Sequence, residues 1–354
     1  MQILVDREAF WPRLANDIAN ATHSVQLQTL SMEGDRAGAG LGTALLGCAA
    51  PDRRLSVDSF TRYVLSGRCV YSPAGLFDAR VRAEAMRTRA LFRRLRAGGV
   101  GVRWSSPVGP LLLRLPARNH KKSVVIDSRI AYIGGFNFSD HNFAWHDLML
   151  RWEDPAAAAF LAEDLDATWH GRAERRYGEF DGIELHILDG RSNAIAFDRI
   201  FQLVGSARRD IVIHSPYLTF PFCDHLRRSR RRGVAITVIS PDVNTVSGMR
   251  RYILWEAARS GFDVRFFPRM THVKAMLIDD RWLILGSSNF DYLSFRAHQE
   301  IVAIVRDPAT IASFHTVLES DLSLCHRGIQ GHNETATETS DALNPTISLR
   351  GPVD

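Results

Sequence analysis

Two short motifs carry the chemistry that this chain can do. His120-Lys121-Lys122 is followed by Asp127, and His272-Val273-Lys274 by Asp279, so each reads His-x-Lys-x4-Asp. Of the 44 basic residues only three are lysine, and Lys122 and Lys274 are two of them. A chain that uses arginine for nearly every positive charge keeps lysine two residues after a histidine, twice. Histidine serves as nucleophile or proton carrier near neutral pH, because its unperturbed pKa is about 6.5. Two of them on opposite sides of one phosphate divide the work. One attacks phosphorus and forms a phosphohistidine; the other protonates the leaving oxygen, then deprotonates water or an alcohol for the return step.

The match extends past those residues. Asn137 and Asn289 each lie 17 positions after their histidine, in the glycine-rich turns Gly134-Gly135-Phe136-Asn137 and Gly286-Ser287-Ser288-Asn289. An acid follows at +27 or +28, Asp147 in the first copy and Glu300 in the second. Asp-Pro pairs, Asp154-Pro155 and Asp307-Pro308, then open helical patterns. This is an internal duplication with its polar residues in register. Lys122, Lys274, Asn137 and Asn289 suit the non-bridging oxygens of a phosphate and its transition-state charge. Asp147 and Glu300 suit the imidazoles, whose tautomer and orientation a hydrogen-bonded carboxylate fixes. Gly135, Ser287 and Ser288 line the same turns and are expected to contact substrate. Asp127 and Asp279 belong to the candidate site by motif, although their place at strand ends suits hairpin-stabilising acceptors better.

The elements that position these residues repeat as well. A helix-like segment leads to a strand in each half, 10–21 into 24–30 and 196–206 into 210–214. Strands at 55–60 and 234–240 follow, then strands at 100–104 and 262–266, each just after a glycine. Each motif opens a tight hairpin, 123–126 with 130–133 and 275–278 with 282–285. Strands alternating with helices, twice, predict a duplicated α/β fold. The chemistry requires the halves to face each other across a pseudo-twofold axis. We expect a first domain at 1–178, a second at 179–330, and a polar disordered tail at 331–354.

The paired His-x-Lys-x4-Asp-x6-Gly-Gly/Ser-x-Asn pattern resembles the phospholipase D superfamily. Within it the chain is similar to bacterial cardiolipin synthases and related phosphatidyltransferases, through the run Trp145 to Pro155, Ser215-Pro216-Tyr217 and the run Gly286 to Asp291. The likeness covers roughly residues 3 to 325. It implies two mixed-sheet α/β halves with the site between them, His120 as nucleophile and His272 as general acid, and a phospholipid substrate. Leu293 stands where family members often carry arginine. The paired N-terminal membrane helices of many cardiolipin synthases have no counterpart, so any membrane contact is expected to be peripheral.

Composition bounds the alternatives. A 354-residue chain with 45% hydrophobic residues fits two soluble domains. No apolar run reaches the length of a membrane span, and the N-terminus lacks a secretory layout, so the cytoplasm or the inner face of the cell membrane is expected. The four cysteines show no CxxC spacing, and no His/Cys/Asp/Glu group has metal-ligand spacing, so no cofactor or metal is expected. A net charge of +5 favours anionic partners, phospholipid surfaces or nucleic acid. A nuclease using the same residues and a non-catalytic protein that binds anionic membrane are therefore the rival functions. Gly38 to Gly42 is expected to be a flexible turn into a helix, and the arginines of 80–96 and 227–232 to be solvated helix faces. Leu111-Leu112-Leu113-Arg114-Leu115 and Phe220-Pro221-Phe222 are either core or lipid-facing.

Overall fold

The computed structural model describes residues 1–328, so the expected tail at 331–354 lies outside the described residues. Two mixed sheets account for the duplication. In spatial order, the first has the strands Gln2–Val5, Leu148–Glu153, Ile130–Gly134, Ser123–Ile126, Ser24–Thr29, Asp52–Asp58 and Gly101–Ser105. The second repeats that order with Ile183–Asp189, Gln299–Val305, Trp282–Gly286, Ala275–Ile278, Asp210–His214, Ala235–Pro241 and Asp263–Phe267. It adds Arg176–Phe180 at one edge and His326–Arg327 at the other. The expected division at 178/179 falls inside Arg176–Phe180, which pairs antiparallel with Ile183–Asp189 and so belongs to the second sheet.

In each half the three helix-linked strands run parallel and the motif hairpin joins them antiparallel. Apart from half-buried Trp282 the hairpin strands are buried, which explains their continuous aliphatic runs. Helices Asp6–Ala19, Arg36–Gly47 and Ala79–Ala97 cover the outer face of the first sheet, and Asn193–Ser206, Phe222–Arg231 and Met249–Ser260 that of the second. A third core lies between the sheets. It joins Val125, Ile133 and Leu150 to Leu277, Leu285 and Ala303, with Leu161 and Phe314 from the helices Pro155–Trp169 and Pro308–Leu324. Both helices begin at the Asp-Pro pairs, where Asp154 accepts from Ala156 and Ala157, and Asp307 from Thr310.

Gly38 to Gly42 is not a flexible turn: it lies within the helix Arg36–Gly47. Close packing overrides the low helix propensity of glycine there. A Cβ on Gly38 would fall 1.9 Å from the carbonyl of Glu33, and one on Gly42 would fall 2.8 Å from Leu91. The arginines of Ala79–Ala97 do form a solvated face, over a buried one of Val81, Ala85, Leu91 and Leu95. Those of the 227–232 run are partly structural. Arg227 pairs with Asp224 and Glu256, Arg230 donates to the carbonyl of Gly261 and Arg232 to that of Gly205. Leu111, Leu112 and Leu113 are exposed rather than core, while Phe222 is buried and Phe220 exposed.

Candidate active site

The two halves meet through a pair of short parallel bridges, Asn119 with Gln299 and His146 with Thr271. A motif histidine follows one member of each bridge, His120 after Asn119 and His272 after Thr271. The amide of His120 donates to the carbonyl of Gln299 at 2.9 Å, and the amide of His272 to that of His146 at 2.6 Å. In return Gln299 donates to Arg118 and His146 to Met270. The residue after Gln299 is Glu300 and the residue after His146 is Asp147, so each histidine is brought to the acid of the other half.

The side chains complete that exchange. His120 Nδ1 lies 2.9 Å from Glu300 Oε1, and His272 Nδ1 lies 2.7 Å from Asp147 Oδ2, with all four residues buried. A carboxylate only accepts, so each Nδ1 carries the hydrogen and each Nε2 keeps a lone pair. Burial pushes the His120 imidazole down to about 3; Glu300 opposes the shift and Lys122 adds to it. Burial likewise pushes His272 down to about 4, with Lys274 adding and Asp147 opposing. Burial alone would raise the Glu300 carboxyl, but His120, His298 and Lys122 outweigh it and hold the group far below its ordinary value. Both imidazoles are therefore held toward the neutral form, each with Nδ1 on a carboxylate.

Two-residue spacing sets each motif lysine on the same side of the chain as its histidine. Lys122 Nζ donates to the carbonyl of His120 at 2.7 Å, and Lys274 Nζ to that of His272. Burial lowers Lys122 to about 7, with Glu300 opposing and Lys274 adding. Burial lowers Lys274 to about 8, with Asp147 and Glu300 opposing. These lysines sense each other and both acids, so the two halves share one electrostatic site. Asn137 Oδ1 accepts from Thr29 Oγ1 at 3.2 Å and from the amide of Ser31 at 3.3 Å, which fixes the amide group. Asn289 Oδ1 is buried and has no partner among the described residues.

The turn residues hold the acids. A Cβ on Gly135 would lie 2.2 Å from Asp147 Oδ1, so only glycine admits that carboxylate. Ser287 Oγ donates to Glu300 and accepts from the amide of Ile301. Ser288 Oγ turns to the backbone carbonyl of Asn289. Geometry thus gives Gly135 and Ser287 the work of positioning the acids.

Asp127 and Asp279 lie outside this cluster. Asp127, at the far end of its strand from Lys122, accepts from the amides of Thr22, His23 and Ser24; Asp279 accepts from those of Arg208, Arg209 and Asp210. Each clamps a helix-to-strand turn to the motif hairpin, and their catalytic grouping with the motif is corrected on that ground. The third lysine, Lys121, is also buried, but it faces Asp164 at 2.6 Å and Thr168 at 3.0 Å.

Three contacts escaped sequence reasoning. Ser294 Oγ donates to Glu300 Oε1 at 2.9 Å. The His298 ring lies 5.1 Å from that of His120, centroid to centroid. Buried Arg118 pairs with Asp58 at 2.9 Å, and the same carboxylate accepts from the amide of Asn119, which steadies the approach to His120. Only His298 had a local signal, two residues before Glu300.

Known proteins resemble this chain in sequence and in fold. The family model described as cardiolipin synthase, PLD-like domain matches residues 14–169 and 200–322. Cardiolipin synthase B of Escherichia coli (strain K12) is 30% identical over 342 residues, covering 87% of this chain and 76% of that protein. The major cardiolipin synthase of Bacillus subtilis (strain 168) is 25% identical over 351 residues, covering 91% and 68%. Among solved structures, phosphatidylserine synthase of Haemophilus influenzae Rd KW20 aligns with a TM-score of 0.68 at 15% identity, covering 92% of this chain and 87% of that one.

Proposed function

Because this chain belongs to the phospholipase D-like family of the cardiolipin synthase type, we propose that it transfers a phosphatidyl group between alcohols through a phosphohistidine. The observation that carries the reading is the crossed pair of buried imidazoles, each with Nδ1 on a carboxylate. His120 Nε2 attacks the phosphorus of a phospholipid and the bond to the leaving oxygen breaks. His272, protonated once the anionic phosphate is bound beside it, delivers its proton to that oxygen. The acceptor hydroxyl then gives its proton to His272 and attacks the phosphohistidine, which frees His120. Lys122, Lys274, Asn137 and Asn289 hold the non-bridging oxygens. General acid–base transfer of this kind contributes about 10²–10⁴-fold.

The surface favours a lipid substrate over nucleic acid. Leu111 is 91% exposed and Leu113 76% exposed, on the segment that runs into His120. Leu111 and Leu112 both have positive φ, at 51° and 59°, a conformation that costs a leucine roughly 1–2 kcal/mol. Phe77, 85% exposed, ends a short helix just before the arginine-rich helix Ala79–Ala97. Apolar tips beside a cationic face suit peripheral docking on an anionic bilayer. Among the described residues no helix is long and apolar enough to cross a membrane.

Mass spectrometry of lipids tests the reading. The protein is incubated with vesicles of phosphatidylglycerol and phosphatidylethanolamine, beside His120→Ala and His272→Ala. Cardiolipin formed only by the intact protein is expected. Phosphatidic acid alone would replace transfer with hydrolysis, and unchanged lipid with cleaved DNA would replace it with a nuclease.

A further inference from the structure

We propose that His146, His214 and Asp321 form a buried structural site for a divalent transition-metal ion, zinc by its donor set. The three residues come from far apart in the chain: the segment before the strand Leu148–Glu153, the end of the strand Asp210–His214, and the last turns of the helix Pro308–Leu324. All are buried, and their donor atoms lie within 4.8 Å of one another.

Two of the three spacings match those of a coordination shell. His146 Nε2 is 3.1 Å and His214 Nδ1 is 3.3 Å from the same oxygen, Asp321 Oδ2. An ion about 2.0–2.1 Å from each donor sets tetrahedral neighbours about 3.3 Å apart. The outer nitrogens are held as metal-binding imidazoles require. His146 Nδ1 lies 2.9 Å from Asp6 Oδ1, and His214 Nε2 lies 2.7 Å from Thr271 Oγ1. Phe267 stacks on His146 at 4.7 Å and closes that side.

A proton is the competing occupant. It would sit on His146 Nε2, 3.1 Å from Asp321 Oδ2. It does nothing for His214 Nδ1, which is buried close to Asp321 yet lacks hydrogen-bond geometry to it. A proton serves only the bond between His146 and Asp321, whereas one ion engages all three donors. Two imidazoles with one carboxylate suit zinc over magnesium or calcium, which take oxygen shells. The fourth position falls to water or to the second oxygen of Asp321.

Such an ion takes no part in phosphoryl transfer. It would fix the peptide that orients the His272–Asp147 pair, since the carbonyl of His146 accepts from the amide of His272. It would also tie helix Pro308–Leu324 to the first half.

Metal content by mass spectrometry, after expression with zinc and dialysis without chelator, tests the assignment. About one zinc per chain is expected, together with a lower melting temperature in EDTA and its recovery on adding zinc. His214→Ala and Asp321→Asn are expected to weaken zinc binding by tenfold or more, on the order seen when metal-site partners are removed. If these variants do not fold, cobalt added to the chelator-treated parent protein decides, through the intense visible bands of tetrahedral cobalt. Zinc lost in His298→Asn but kept in His214→Ala would move the ion to the catalytic histidines and overturn the proposal. Negligible zinc, with a melting temperature indifferent to EDTA and to zinc, would overturn it in favour of the proton-bridged network.

Discussion

His120 and Glu300 meet at 2.9 Å although 180 residues separate them, and His272 meets Asp147 at 2.7 Å across 125 residues. Neither histidine uses the acid of its own copy of the repeat. The geometry of each half is therefore set by the other, and the site exists only where the sheets pack.

Glu300→Gln and Asp147→Asn keep size and burial but remove the anion that selects the Nδ1-protonated tautomer. Each is expected to lower turnover by about 10²–10⁴-fold with little change in KM, as when a carboxylate behind a catalytic histidine becomes an amide. Because the two imidazoles act as a unit, the double variant should be little worse than the more damaging single one. Steady-state kinetics beside calorimetry separates this from unfolding. Additive losses would argue that the pairs work independently.

Gly135→Ala places a methyl group where the Asp147 carboxylate sits. The carboxylate must move, and His272 loses its partner. We expect turnover to fall far more than melting temperature does. A variant with both intact would show that the turn tolerates a side chain and that Asp147 adjusts freely.

Leu111→Glu with Leu113→Glu tests lipid docking apart from chemistry. Burying a leucine in an apolar medium contributes about 1.5–3 kcal/mol, so the pair should weaken vesicle binding by at least about tenfold. Turnover of a monomeric short-chain phospholipid should be nearly unchanged. Equal loss on both substrates would instead assign these leucines to the substrate groove.

Stability should depend on pH through the buried imidazoles. Folding lowers His120 to about 3 and His272 to about 4, against about 6.5 in the unfolded chain. Between those values the unfolded state binds protons that the folded state refuses, so stability rises with pH in that window. Their contribution is fully present above about 6.5 and is lost as pH falls through the folded values. Denaturant unfolding at a series of pH values between 7 and 4 should show a falling midpoint, and His120→Asn with His272→Asn should flatten it.

Much of this was legible in the chain, for physical reasons. The buried hairpin strands announce themselves as aliphatic runs ended by an aspartate turn. Both histidines, both lysines, both asparagines and both acids follow from one repeated spacing. Which acid serves which histidine does not, because spacing describes one copy and the pairing depends on how two sheets face. Gly38 to Gly42 misleads because glycine signals a turn, whereas here it lets helices approach closely. Arg118 and Asp58 were invisible because a buried ion pair 60 residues apart leaves no local pattern. The grouping of His146, His214 and Asp321 was missed on the same grounds.

The paired bridges, Asn119 with Gln299 and His146 with Thr271, amount to a twofold handshake inside one polypeptide. Two separate copies of a single half would offer the same reciprocal contacts, as any isologous dimer does. Joining them in one chain makes the second encounter intramolecular, so the completed site no longer depends on protein concentration. It also releases the two faces from identity. One side can then specialise for the leaving group and the other for the incoming alcohol, a division that a symmetric dimer is denied.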